Sequence, residues 1–324
     1  MPDGGVGPLL EGYARRLSDT RHRGDVVDWE GCRSLESRTA VSEITERLWA
    51  EYEGFAGRDL AEFDVVYLFV DGIAERLHLG QPREAVLAAW GLLADGNKAL
   101  LHLAPGTKED TASCREFFRD MRRRGLPDPL LVVSDGAPGM IRAIEECFPR
   151  SLRQRCLAHK MRNLASKLPE ELWPEFKARA AACYQAASPA LARLLRDDIR
   201  TTYGRDRPSA VACLEDDFEA CIAHLRFPLG HRRAVRTTNL LERLFGEERR
   251  RTKVIPHAFG ERAVLKLMYA ALIRAAERWR GIRISEFEQR QLKAVREEID
   301  KDFADRNAPA ATAPQSHLSS NQRT

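Results

Sequence analysis

The chain has 324 residues, of which 44% are hydrophobic and 31% charged, and its formal net charge is +4. No apolar run approaches the about 20 residues of a membrane-spanning helix, and no basic stretch followed by an apolar core opens the chain. The composition therefore excludes a membrane protein and predicts a cytoplasmic globular protein with reduced cysteines and one or two domains.

The N-terminal region, 1–60, carries little pattern. Pro, Gly and charged residues dominate its first half, and apolar residues at spacings of three and four then predict a helix over 40–55. We expect this region to be a shortened helical segment ahead of the main domain.

Strand signals are concentrated in 61–160. Apolar, β-rich runs on either side of Asp95-Gly96, a strong hairpin signal, predict an antiparallel meander. Its three strands are expected at 64–71, 85–93 and 99–103. The elements predicted after it are a helix, a buried strand, a helix and a last short strand, at 111–124, 130–135, 139–147 and 153–156.

The rest of the chain is predicted to be helical. Segment 161–236 has no strand signal, so we interpret it as an all-α insertion. Segment 237–304 carries later helices of the core, and the polar composition of 305–324 predicts a disordered tail. The later helices are expected at 240–251, 260–279 and 285–303.

Two of the predicted strands end in an aspartate, at Asp71 and Asp135, and each aspartate precedes a glycine. Taken alone, each pair is explained by an ordinary Asp-Gly turn. Two carboxylates at the ends of neighbouring buried strands would instead repel each other unless a divalent cation lay between them. Mg²⁺ takes such carboxylates together with phosphate oxygens, so the second alternative indicates phosphoryl transfer.

A third acid is expected on a later helix, and Glu242 is the candidate. Its alternative role is local, because Asn239 as N-cap and Glu242 at the third helical position make a variant of the capping box. Glu247 and Glu248 are rivals that we expect to pair with neighbouring arginines.

Four motifs follow one another along the chain. They are Val70-Asp71-Gly72, Val133-Ser134-Asp135-Gly136, the run from Cys156 through His159 to Asn163, and Thr237-Thr238-Asn239 with Glu242-Arg243 and the basic run from Arg249 to Lys253. In order and spacing they resemble the motifs of Mutator-type transposases of bacterial insertion sequences, over roughly 37–300.

This resemblance implies a DDE-type transposase whose ribonuclease-H-like mixed-sheet core is interrupted by the helical insertion. Asp71, Asp135 and Glu242 would be the catalytic and metal-binding triad, with two Mg²⁺ or Mn²⁺ ions as cofactors. The implied substrates are double-stranded DNA with the element's terminal inverted repeats and target DNA. A homodimer associated with the nucleoid would hydrolyse the element end, and the freed 3′-hydroxyl would then attack the target.

Positive charge is concentrated near the third acid. Segment 226–255 holds nine basic and three acidic residues, so its net charge is +6 and the rest of the chain carries −2. Such a surface suits DNA phosphates, although a solvated helix face with Arg–Glu pairs explains it too. The predicted DNA-binding residues are Arg243, Arg249, Arg250, Arg251 and Lys253, with Lys160 and Arg162 as weaker candidates.

Cys156, His159 and Trp173 have roles that the sequence leaves open. The Cys-x-x-His spacing is half of a zinc site, but no second ligand pair is evident, so a structural or DNA-adjacent role is favoured. Trp173 is expected in the core of the insertion, with stacking on a flipped base as the alternative.

The region before the first strand is shorter than in typical members of this family, which carry helix-turn-helix modules there. A truncated, non-catalytic, transposase-derived DNA-binding protein is therefore the alternative function. A nuclease of the same core acting on RNA–DNA hybrids or junctions is a third, which the insertion and the basic helix disfavour.

Overall fold

The computed structural model describes residues 38–75, 83–106, 110–252, 260–278 and 281–308. At its centre is a five-stranded mixed sheet with the order β3-β2-β1-β4-β5. The strands are β1 (Val65–Glu75), β2 (Glu84–Leu93), β3 (Lys98–Pro105), β4 (Leu131–Ser134) and β5 (Leu152–Arg155). The prediction of a mixed α/β fold is confirmed.

The first three strands form the predicted meander. β2 pairs antiparallel with both β1 and β3. In the turn between β2 and β3, Gly96 has φ 86°, a left-handed conformation that glycine adopts without strain. The Asp95 carboxylate accepts a hydrogen bond from the Asn97 amide at 2.7 Å and closes the turn.

β1 is longer than the sequence pattern predicts. The pattern ends this strand at Asp71, but its ladder with β2 continues to Glu75. Pairing with β2 holds Gly72 and the residues after it in extended conformation, and this tertiary contact overrides the turn preference of Asp-Gly. Asp71 therefore lies inside a strand and does not begin a turn.

Helices cover the sheet and make up most of the chain after β5. None of those in the described ranges is both long enough and apolar enough to cross a membrane. They are α1 (Arg38–Gly57), α2 (Thr111–Arg123), α3 (Pro138–Cys147), α4 (Leu157–Ala165), α5 (Trp173–Tyr184), α6 (Pro189–Tyr203), α7 (Pro208–Glu215), α8 (Phe218–Ile222), α9 (Leu229–Val235), α10 (Asn239–Thr252), α11 (Glu261–Arg278) and α12 (Glu286–Arg306), with a 3₁₀ turn at Ala223–Arg226.

Side chains of β1 alternate between two apolar layers, as the two-residue period of a strand requires. Tyr67 and Phe69 face a layer that includes residues of α1, α10 and α11. Leu68 and Val70 face the opposite layer, which contains α2 and α3. By this alternation Asp71 belongs to the side on which α10 packs.

The helices from α4 to the 3₁₀ turn form a third apolar core of their own, in which Phe176, Tyr203 and Leu214 are buried. We call α4–α9 the helical block. The boundaries predicted for the insertion, 161–236, stay a prediction.

Ion pairs join the helical block to β5. Arg153 donates to both oxygens of Asp217, with 2.6 Å from Nη2 to Oδ1, and Arg155 Nη1 donates to Asp216 at 2.6 Å. The side chains of Arg153 and Asp217 are 15% and 16% exposed, so this pair is largely removed from water. The turn before α8 is thereby fixed to the strand next to β4.

Candidate active site

Asp71 and Asp135 lie at the same level of two neighbouring strands. β1 and β4 pair in parallel, with Phe69 opposite Val133. When this register is continued by two residues on each side, Asp71 lies beside Asp135, which directly follows β4. Both residues are almost fully buried, at 4% and 8% exposure. The structure thus brings two of the three predicted acids together.

Backbone amides orient the two carboxylates. The Gly72 amide donates to Asp71 Oδ1 at 2.8 Å, and the Ala137 amide donates to Asp135 Oδ1 at 3.2 Å. Each aspartate thus accepts a hydrogen bond from an amide of its own strand or loop.

Gly136 makes room for a side chain from β5. The guanidinium group of Arg155 lies against it, and a Cβ at this position would collide with that group. The Arg155 side chain is only 9% exposed and reaches on to Asp216 in the helical block. The glycine after Asp135 thus lets the Arg155 side chain pass close to this loop, and a larger residue would force that side chain to shift.

Cys156 and His159 lie at the start of α4, beside Asp71. The pKa of His159 is raised, mainly by its hydrogen bond with Cys156 and further by the charges of Cys156 and Asp71. Burial acts to raise the pKa of Cys156, but hydrogen bonds from His159 and Thr238 outweigh it, so that the pKa is lowered. The hydrogen bond between the two side chains therefore shifts both pKa values toward the charged forms.

Cys156 also contacts the segment that leads into α10. The amide and the hydroxyl of Thr238 donate to the Cys156 sulfur at 3.3 and 3.4 Å. Both residues are fully buried. Because α10 begins at Asn239, Thr238 stands in the position that the sequence pattern assigns to Asn239.

Glu242 lies in the first turn of α10, apart from the two aspartates. Its carboxylate accepts a hydrogen bond from Arg162 Nη2 at 3.0 Å, and the two side chains are 41% and 63% exposed. Arg162 follows His159 by one turn of α4, on the same face of that helix. Through Arg162, Glu242 is therefore bonded to the same helix that carries His159.

In the part of the chain that the structure describes, no three His, Cys, Asp or Glu side chains converge closely enough to hold a metal ion. This applies both to the three acids and to a zinc site at Cys156 and His159. Asp71 and Asp135 supply the carboxylate oxygens that hard cations prefer, so their chemistry fits Mg²⁺.

The predicted DNA-binding residues are only partly described. Arg162, Arg243 and Arg250 are exposed near Glu242. Lys253 and the side chains of Arg249 and Arg251 lie outside the described residues.

Two further predicted residues lie in the helical block. Lys160 is fully buried, and its ammonium group donates to the backbone carbonyl of Asp216. The prediction that Lys160 contacts DNA disagrees with this position, because a buried ammonium group does not reach a phosphate. Trp173 is half-buried and packs against the apolar core of the block, which agrees with a core role.

The sequence analysis assigned no role to Thr238 or Arg155. Both are polar yet buried, and they contact residues far away in the chain. One signal was available for Arg155: β5 contains two arginines beside apolar strands, and buried charges need partners. Nothing local distinguishes Thr238 from an ordinary helix cap.

Buried carboxylates on adjacent strands, together with exposed arginines on a helix that packs against the sheet, suit an enzyme that acts on nucleic-acid phosphates. Comparison with known families agrees with this class. The model of the family described as "Transposase, Mutator family" matches residues 8–281. The chain belongs to this family, and the resemblance drawn from its motifs is confirmed.

Individual relatives are insertion-sequence transposases. The chain is 34% identical over 275 residues to the transposase for insertion sequence element IS6120 of Mycolicibacterium smegmatis, covering 85% of this chain and 84% of the relative. Over 202 residues it is 36% identical to the transposase for IST2 of Acidithiobacillus ferrooxidans, covering 62% and 68%. It is 28% identical over 279 residues to the transposase for IS256 in transposon Tn4001 of Staphylococcus aureus, covering 84% and 70%.

Proposed function

We propose that this chain is a DDE-type DNA transposase. It cleaves DNA at the terminal inverted repeats of its element and joins the freed 3′-hydroxyl to target DNA, with two copies of the chain in the synaptic complex. The observation that carries the proposal is the register between β1 and β4, which sets Asp71 level with Asp135. Membership of the Mutator family supports it.

A ribonuclease-H-like core is part of this proposal. The sheet consists of an antiparallel meander followed by two strands parallel to β1. This is the strand arrangement on which the prediction of such a core from the sequence depends. The first acid is on β1, the second follows β4, and the third comes from a helix that packs on β1. The likeness between this sheet and a ribonuclease-H-like core is an analogy at the level of the fold.

Asp71, Asp135 and Glu242 are the residues that would hold two Mg²⁺ or Mn²⁺ ions. Such ions, when bound, activate a water or a 3′-hydroxyl and stabilise the leaving oxygen. The amides of Gly72 and Ala137 orient the aspartates before substrate arrives, so this half of the site is preorganised. Glu242 joins them when its carboxylate leaves Arg162.

DNA supplies a partner for Arg162 in that exchange. An exposed ion pair of this kind stabilises the protein by at most about 1 kcal/mol, so a phosphate readily replaces Glu242 as the partner of Arg162. Arg243 and Arg250 extend the same basic surface along α10. In this proposal, binding of the DNA backbone and assembly of the acids are coupled.

The test is metal-dependent cleavage of linear DNA that carries the flanking inverted repeats. The unmodified chain is compared with Asp135→Asn and with Asp95→Asn, since Asp95 also precedes a glycine but lies exposed in a hairpin turn. We expect nicking at the repeat ends with Mg²⁺ or Mn²⁺, its loss in Asp135→Asn and its retention in Asp95→Asn.

Two results would reject the proposal. If the chain binds the repeat DNA but neither it nor the variants cut, the chain is a non-catalytic DNA-binding protein of transposase origin. If Asp135→Asn cuts as well as the unmodified chain, the two aspartates are not the catalytic pair.

A further inference from the structure

Cys156 connects the two strand ends to the start of α10. Its amide donates to the carbonyl of Ser134, immediately before Asp135, at 2.7 Å. Its sulfur accepts two hydrogen bonds from Thr238, from the amide at 3.3 Å and from the hydroxyl at 3.4 Å. Three segments that are far apart in the sequence therefore meet at one fully buried residue, through its amide and its sulfur.

Thr238 in turn determines where α10 begins. The amide of Glu242 donates to the Thr238 carbonyl at 3.1 Å. Two residues before Thr238, the carbonyl of Arg236 accepts from the Leu157 amide at 3.0 Å, beside Cys156. The approach to α10 is thus bonded to the N-terminus of α4 through nearby residues, and the position of Glu242 depends on this link.

We propose that Cys156 and Thr238 are positioning residues, whose link holds the first turn of α10 so that Glu242 stays within reach of Asp71 and Asp135. This inference rests on the proposed function. Sulfur suits the role because its large radius permits two long hydrogen bonds, whereas an oxygen acceptor prefers a donor at about 2.8 Å. Loss of the link displaces the glutamate, whereas the hydrogen bonds from the Gly72 and Ala137 amides to the two aspartates do not depend on it.

The experiment uses the full chain with Thr238→Val, which removes the hydroxyl and keeps the shape, together with Cys156→Ala and Cys156→Ser. Cys183→Ala is the control, since Cys183 is a fully buried cysteine in α5. Four quantities are measured. They are hydrogen exchange at the amides of Glu242 to Phe245, Mn²⁺ binding without DNA, the rate of single-turnover cleavage, and DNA affinity.

In Thr238→Val and Cys156→Ala we expect faster exchange in the first turn of α10. We also expect Mn²⁺ affinity and cleavage rate to fall by about tenfold, the range for residues that orient metal ligands, with unchanged DNA affinity. Cys156→Ser should recover part of the loss, because its hydroxyl still accepts a hydrogen bond. Cys183→Ala should match the unmodified chain in all four measurements.

Unchanged exchange in both Thr238→Val and Cys156→Ala overturns the inference, whatever the activity. Faster exchange with unchanged Mn²⁺ binding and cleavage overturns it too, because the link would then be merely structural. If the unmodified chain neither binds Mn²⁺ nor cleaves DNA, the proposed function fails. Exchange in α10 is measured independently of that result, so the two failures are distinguishable.

Discussion

The strand-borne aspartates and the helix-borne glutamate are held in different ways. Asp71 and Asp135 are buried on adjacent parallel strands, and amides one or two residues away orient them. Glu242 is exposed on α10, and its carboxylate is paired with an exposed arginine from another helix. Its backbone depends on a buried contact between Thr238 and Cys156.

This difference indicates that two of the three acids are held rigidly and that the third is adjustable. Sheet register determines the spacing of the aspartates, and a change in that spacing requires breaking strand pairing. The glutamate is set by a packing contact and by an ion pair that an anionic substrate can replace. We therefore expect damage to the strand side to abolish chemistry, and damage to the helix side to weaken assembly of the site.

The largest expected effect is on catalysis. Asp71→Asn should lower the rate of strand cleavage about a thousandfold, equal to roughly 4 kcal/mol of transition-state stabilisation. Without metal its melting temperature should stay equal or rise, because one of two neighbouring buried carboxylates is neutralised. Single-turnover cleavage and thermal unfolding measure both. A rate within tenfold of the unmodified chain would contradict the assignment.

Ion pairs fix the helical block to β5, and their loss should lower the free energy of unfolding. Arg153→Ala leaves the largely buried Asp217 with Arg155 Nη1, at 4.0 Å, as a more distant partner and should cost about 3 kcal/mol, the lower end of the range for a broken buried pair. The matched control, Arg193→Ala, breaks an ion pair whose side chains are 46% and 62% exposed and should cost at most about 1 kcal/mol. Urea unfolding measures both changes in the free energy of unfolding. Equal changes would show that the pair of Arg153 with Asp217 stabilises the fold no more than an exposed ion pair does.

The 3₁₀ turn that contains His224 also contacts β5, since the His224 amide donates to Gln154 Oε1 at 2.8 Å, and we expect this contact to weaken in mild acid. Burial, with Arg236 and Arg232 acting in the same direction, lowers the pKa of His224 to about 4, and its Nε2 lies 2.9 Å from the Tyr184 carbonyl. The unfolded chain takes up a proton near the ordinary pKa of 6.5, before the folded chain does. The stability contributed by neutral His224 is therefore complete above pH 6.5 and is lost as pH falls toward 4, at up to about 1.4 kcal/mol per pH unit.

The check on His224 is thermal unfolding against pH, with His224→Gln as the comparison. Glutamine keeps a donor for the Tyr184 carbonyl but does not titrate, so the variant should show a flatter dependence between pH 4 and 6.5. Parallel curves for the two proteins would show that another group is responsible.

The smallest expected effect on stability is that of Arg162→Gln, at most about 1 kcal/mol. Because Glu242 loses its partner, Mn²⁺ binding without DNA should become a few times tighter, while DNA affinity falls. Arg179→Gln, which disrupts a comparable exposed pair with Asp198, is the control and should leave Mn²⁺ binding unchanged. Weaker Mn²⁺ binding in Arg162→Gln would show that the ion pair supports the site and does not restrain it.

Local patterns in the sequence were sufficient for the strands, most helices and the hairpin at Asp95-Gly96. Alternating apolar residues and a strong turn signal act over a few positions, so they depend little on the rest of the chain. The same patterns placed Asp71 and Asp135 beside buried strands, and the motifs around them indicated the family that comparison confirmed.

Only the tertiary structure decided where those local signals end. Asp71-Gly72 reads as a turn, but pairing with β2 extends the strand through it. Lys160 reads as a phosphate ligand in a basic motif, but packing against the turn at Asp216 buries it. Each outcome depends on a partner that is far away in the chain, and local sequence does not contain that information.

The sequence by itself determined which charged residues are the candidates for the site: two aspartates after apolar segments, a glutamate on a later helix and a basic run beyond it. The tertiary structure decided how they are held. Parallel pairing of β1 and β4 sets the aspartates level, and the Cys156–Thr238 contact sets the start of α10. The physical reason is that residue type and spacing are local properties, whereas register and side-chain contacts arise only when distant segments pack together.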